Sequence, residues 1–253
     1  MTRAMRICSV LLCVAFCSAT SCRADTPQTT TAPAQSGESD LQRVFRFQAM
    51  GQAAFMVKGV AVYDIGDDAR RELTQIVHEH LARVDQQVAQ LPDRGKDASN
   101  AAALQRADEL AQQFERDKLL PWLKAHDAEA KVIERQTDLA NKIVVLLASG
   151  PDGLLTALRD VQPEADNYES AHRILQAAQR EAVALQEANW KNTDAARRLA
   201  DPDARLLAER LAGADIQSKV FGEMQWALVE QLRTSLGPKA WAAFAVEVDN
   251  LPV

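Results

Sequence analysis

Between residues 67 and 91, Leu73, Ile76, Val77, His80, Leu81, Val84, Val88 and Leu91 fall at i, i+3, i+4, i+7, i+8, i+11, i+15 and i+18. That spacing draws one apolar stripe on a 3.6-residue helix, with Arg71, Glu72, Glu79, Arg83 and Asp85 outside it. A helix striped in this way must bury its apolar face against other elements, so the pattern predicts a packed helical body. The same period returns downstream. Leu104, Ala107, Leu110, Ala111 and Phe114 carry it over 98–117, and Ile133, Ala140, Val144 and Leu147 carry it to Ala148. Tyr168, Ala171, Leu175, Ala178, Ala182 and Leu185 carry it from 166 to about Lys191.

Helix boundaries are marked by residue chemistry. Asp67 after Gly66 is the expected cap of the first striped helix, and Pro92 and Gly95 close it. Pro121 either kinks a long helix or opens a new one at its first turn. Ser149-Gly150-Pro151 ends the next, and 152–161 reads as a short helix. Asp166-Asn167-Tyr168-Glu169 has capping-box spacing. Asp201-Pro202 starts another helix, and Val220, Phe221, Met224, Leu228 and Leu232 share a face within 215–236. Gly237-Pro238 stops and restarts the chain before Trp241, Phe244, Ala245 and Val248.

The stretch 40–65 is ambiguous. Ser39 and Gln42 fit a capping box, and the apolar run that follows favours a centrally buried helix. Val60, Val62, Tyr63 and Ile65 instead suit strands, with Gly51 as a break between two of them. Ten glycines in 253 residues argue against a turn-dense β architecture. The expected fold is an all-α body over 39–253, an irregular bundle of roughly seven to nine helices given usual helix lengths. It allows two sub-bundles meeting near 150–165.

Residues 1–21 read as a lipoprotein-type signal peptide. Arg3 and Arg6 precede the thirteen-residue apolar stretch Ile7 to Ala19, too short to span a bilayer. All four cysteines lie in this region, at Cys8, Cys13, Cys17 and Cys22. Ala19-Thr20-Ser21-Cys22 resembles the bacterial lipobox, which makes Cys22 the expected lipid acceptor. Simple cleavage after Ala24 is the alternative and would release a soluble periplasmic or secreted chain. Residues 22–38 then form a tether rich in Thr, Pro, Gln and Ala, with nothing apolar enough to order it. Arg23 rather than Asp after the cysteine resembles the outer-membrane class of enterobacterial lipoproteins. Without Arg3 and Arg6 the chain carries 27 basic against 35 acidic side chains, a net of −8. That balance disfavours nucleic acid.

Chemistry-bearing motifs are sparse. His78 and His80 are two apart and diverge by about 200° on a helix, so they cannot share an ion. His80, His126 and His172 lie on apolar stripes of different helices. They read as core histidines bonded to backbone, or else as a polar site inside the bundle. Glu169-Ser170-Ala171-His172 is a single Glu-x-x-His step where a di-iron bundle needs two. Neither a phosphate loop nor a nucleophile elbow occurs, and no metal or cofactor is expected.

Lys58, Asp67 and Arg70, at spacings of nine and three, resemble a short segment of the secreted all-α chorismate mutases. That resemblance implies a cofactor-free enzyme binding a dicarboxylate through Lys58 and Arg70. The chain departs from the family in having Arg71 where its Arg-Glu step needs an acid, and in lacking its upstream Arg. A charged, solvated helix start accounts for the same residues. Of the four tryptophans, Trp122, Trp190, Trp226 and Trp241, Trp190 beside Lys191 and Asn192 is the one expected to be exposed.

The expected function is therefore a non-enzymatic binding protein, lipid-anchored at the envelope, with a protein partner. The alternatives are an immunity-type inhibitor of a basic toxin enzyme and the chorismate-mutase-like enzyme. Metabolic labelling with a fatty-acid analogue should mark the wild-type chain and not Cys22→Ser. Equal labelling of both, or of neither, would remove the lipid anchor.

Overall fold

The computed structural model describes residues 38–91 and 100–252. The signal peptide, Cys22, most of the tether and the expected Pro92–Gly95 stop lie outside the described residues. Ser39–Val253 forms one compact unit, all-α, with no strand among the described residues. Its helices are α1 (Asp40–Met50), α2 (Gln52–Val62), α3 (Asp67–Ala89), α4 (Asn100–Phe114), α5 (Leu120–Ala125), α6 (Asp127–Ser149), α7 (Asp152–Asp160), α8 (Ala165–Arg197), α9 (Pro202–Gln217) and α10 (Gln225–Asn250). Two π-helical turns, Glu115–Leu119 and Ser218–Met224, fuse α4 to α5 and α9 to α10, which leaves eight continuous helices.

The ambiguous 40–65 stretch is helical, but as two helices. Ser39 caps α1 reciprocally with Gln42, its Oγ accepting from the Gln42 N–H at 3.3 Å and the Ser39 N–H donating to Gln42 Oε1 at 2.8 Å. Gly51 then breaks the chain at φ 51°, ψ −129°, a conformation that costs residues with a Cβ. A Cβ at this position would also sit 2.9 Å from that of Ala111 on α4. The break thus serves as both a turn and a point of close approach.

Two boundary expectations are corrected. Gly66, not Asp67, occupies the cap of α3 and makes no side-chain bond there. Asp67 and Asp68 lie in the first turn, where their charge still favours the helix dipole. The capping box at 166–169 does not form either. Glu164 is the cap residue of α8, and the helix runs past Lys191 to Arg197. Asp201 does cap α9, accepting from the Asp203 N–H at 3.0 Å, with Pro202 at the first helical position. Pro121 sits in the first turn of α5, the place where proline is accommodated at the start of a helix. The π-turn before it pairs the Leu120 N–H with the Glu115 carbonyl, widening the backbone where the proline ring would clash with the preceding turn. Gly237 leaves helical geometry at φ 73° inside α10, as Gly237-Pro238 suggested.

The largest core cluster draws on α2, α3, α4, α5, α6, α7, α8 and α10, and buries Leu73, Leu147, Leu154, Leu158, Leu175, Leu232 and Phe244 together. Leu154 and Leu158 of α7 lie in the same cluster as Leu147 before them and Leu175 after them. One joint in it is tightly built. Tyr63 meets Trp226 edge to face, with ring centroids 5.1 Å apart, and its hydroxyl lies 3.2 Å from Thr137 Oγ1. Burial pushes the Tyr63 phenol up to about 12. The Trp226 indole N–H donates to the Phe55 carbonyl at 3.1 Å. A second cluster joins Phe45 and Ala49 of α1 to Val84 and Val88 of α3 and Leu104 and Ala107 of α4.

Replacing Gly51 by alanine combines a disfavoured backbone with a clash. It should lower unfolding free energy by about 3 kcal/mol, read as a fall in urea midpoint at unchanged m.

Candidate functional site

The three residues of the enzyme-like triplet do different things. Lys58 on α2 and Asp67 on α3 are exposed. Arg70 is turned into the chain. Its Nη1 donates to the carbonyls of Val60 at 2.9 Å and Ala61 at 3.1 Å, and its Nη2 to those of Tyr63 at 2.8 Å and Ile65 at 3.2 Å. The last carbonyls of a helix have no partner within it and carry partial negative charge. One guanidinium satisfies them at the end of α2, and both terminal nitrogens are spent on backbone. This role could not be read from the sequence, because it depends on α2 ending beside the first turn of α3.

Two of the histidines also bond to carbonyls. His80 is 5% exposed, lies on Phe114 with ring centroids 4.1 Å apart, and its Nε2 is 2.8 Å from the Ala49 carbonyl near the end of α1. Burial holds its pKa below the usual histidine value, with Arg83 acting in the same direction and the carbonyl bond opposing them. His126, at the junction of α5 and α6, stacks on Trp122, and its Nδ1 is 3.1 Å from the Trp122 carbonyl. Its Nε2 lies 3.3 Å from Glu72 of α3. His172 stacks on Tyr168 within α8. The three therefore have separate partners, and no group of His, Cys, Asp and Glu suited to a metal ion occurs among the described residues.

Among the described residues, a groove lies between the C-terminal part of α8 and α9, closed at one end by the start of α1. Its volume is about 540 Å³, within the range of ligand-binding clefts. Leu199, just past the end of α8, and Leu207 and Leu211 of α9 line it beside short alanines such as Ala195 and Ala208, with Asn192, Asp40 and Asp215 supplying its polar atoms. The leucines stay partly exposed because alanines at the neighbouring positions cannot fill the space between the two helices. Arg43 of α1 bridges the two acids, 2.8 Å from Asp215 and 3.8 Å from Asp40. Sequence periodicity marked α9 as a helix but gave no sign that one apolar face would stay uncovered.

No family model, curated protein or solved structure matches the chain. The groove is therefore judged on its own chemistry. No helix among the described residues is long and apolar enough to cross a membrane, so the leucines of α9 are not part of a spanning segment.

Two measurements follow. Arg70→Ala should cost about 3 kcal/mol, and Arg70→Lys should recover only part of that, because an ammonium cannot reach four diverging carbonyls at once. For His80, the folded state binds fewer protons than the unfolded one below about pH 6.5, where a free histidine titrates. Stability should be full above that pH and fall as pH drops toward the lowered folded value. His80→Gln keeps a donor for Ala49 and should flatten this dependence in urea titrations at pH 7 and pH 5.

Proposed function

We propose that this chain is a lipid-anchored, periplasm-facing binding module of the bacterial envelope, non-enzymatic, which holds a protein partner in the α8–α9 groove. Anchoring rests on the sequence around Cys22, with residues 23–38 as spacer and the outer membrane as the surface. The binding half rests on one observation, the uncovered leucine face of α9 opposite α8. Apolar lining with a few polar atoms at one end is the composition of sites that take the apolar face of a partner helix. Asp40 and Asp215 flank that end with Arg43 between them, so a basic residue beside a partner's apolar anchors would share acids that Arg43 already bridges. The net negative charge of the chain speeds encounter with such a partner.

The Ser39–Val253 unit should retain a stoichiometric partner from envelope extract, whereas Leu207→Glu with Leu211→Glu should release it at unchanged circular dichroism. Both leucines are partly exposed, so the double variant leaves the core intact. Retention that survives this change places the contact elsewhere. Recovery of a small molecule with no protein would overturn the proposal. Loss of the partner at high salt would favour an inhibitor of a basic enzyme, and salt resistance a permanent assembly.

A further inference from the structure

The groove does not use the opposite face of α8. Relative to Trp190, the groove residues Asn192, Ala195 and Ala196 point roughly 140–240° around the helix, and Val183 only about 20°. Trp190 is 69% exposed and Val183 40% exposed, and both look away from α9. They are seven residues apart, with the half-buried Gln186 three residues after Val183, which is the spacing of a two-helix seam.

The charges beside that seam have an order of their own. Arg180, Glu187 and Asp194 succeed one another at the same seven-residue spacing on one flank, and Arg180 and Glu187 are exposed. In an antiparallel helix pair, a flank meets the same flank of the other helix in reverse order. Reversal about Glu187 sets Arg180 against Asp194 of the second copy, twice by symmetry. The same two-fold brings Trp190 within one residue's rise of the level of Val183 in the second copy, also twice. A parallel pairing would instead oppose Trp190 to itself and leave this flank without its counterpart.

From this juxtaposition we infer that the chain self-associates, α8 against α8 of a second copy, antiparallel about a two-fold axis at Glu187. The contact is isologous, so it closes at two copies and cannot propagate. It is also weak. A single helix pair buries less than the surface of standard stable interfaces, and Gln186 puts an amide where a stronger seam would carry an apolar side chain. Glu187 meets its own copy, with Lys191 one turn away to offset the repulsion. Asp194 pairs with Arg198 just past the end of its own helix, and Arg180 has no ion-pair partner among the described residues. The inference is independent of what occupies the groove, since the two surfaces lie on opposite sides of α8.

The test uses the full chain with Cys8, Cys13, Cys17 and Cys22 replaced by Ser, in which any added cysteine is the sole thiol. Glu187→Cys lies at the axis and should give a disulfide-linked dimer with mild oxidant. Arg180→Cys alone should not, because its counterpart is about 21 Å away along the helix. Arg180→Cys combined with Asp194→Cys should. In sedimentation equilibrium without these cysteines, Trp190→Ala should weaken association about tenfold, and Glu187→Gln should strengthen it. Arg180→Asp should weaken it, and adding Asp194→Arg should restore it. None of these side chains is buried, and circular dichroism confirms that each variant is folded. A monomer at every concentration up to about 1 mM, the weak end of measurable association, would overturn the inference. So would equal cross-linking of the two single-cysteine chains, or Trp190→Ala associating as wild type.

Discussion

Two helix C-termini depend on side chains from a third helix. Gly51 ends α1 and Tyr63 ends α2, so two sets of carbonyls lose their intrahelical partners inside a packed body. Arg70 meets carbonyls at the end of α2 and His80 the Ala49 carbonyl near the end of α1, and both come from α3, ten residues apart. An unpaired buried carbonyl costs about as much as a lost hydrogen bond. The α1–α2–α3 arrangement is therefore specified by polar satisfaction as well as by apolar fit. Because His80 also stacks on Phe114, the same residue ties α4 into that corner.

Stability is unevenly spread across the fold. The large cluster around Leu73, Leu147, Leu175 and Phe244 gathers residues from eight helices. In contrast, α9 buries only Ala212 and Ala214 along sixteen residues. Few buried apolar contacts give a low local opening free energy, so α9 is the element whose packing has most to gain from an occupant of the groove. Its attachment to α1 through Arg43 and Asp215 joins half-exposed groups, an arrangement that contributes little on its own.

The helices were legible because each striped its apolar residues at one period, and α3 buries Leu73, Val77, His80, Val84 and Val88 as that period requires. The cap of α8 was misread because a box-like spacing at 166–169 says nothing about whether the chain has already turned helical at Ala165. Gly51 was noticed as a break, although the elements it separates are helices. Arg70 was picked out for its charge, yet its task follows from a contact between helix ends that no local pattern encodes. The groove escaped notice for the same reason. The exposure of Trp190, beside Lys191 and Asn192 in the sequence, is confirmed at 69%.

The π-turns make residue count part of the fold. Each closes with a bond that reaches five residues back, from the Leu120 N–H to the Glu115 carbonyl and from the Gln225 N–H to the Val220 carbonyl. Buried positions therefore step from Phe114 to Leu119, five apart, where an unbroken α-helix would step by three or four. Wound as regular α-helix over the same number of residues, the chain after either turn would be rotated by about 100°, whereas loss of one residue would bring the step back to four and keep the later faces in place. With α geometry at unchanged length, Trp122, on the far side of the first turn, and Trp226, just past the second, would swing out of the core with every side chain in their sequence unchanged.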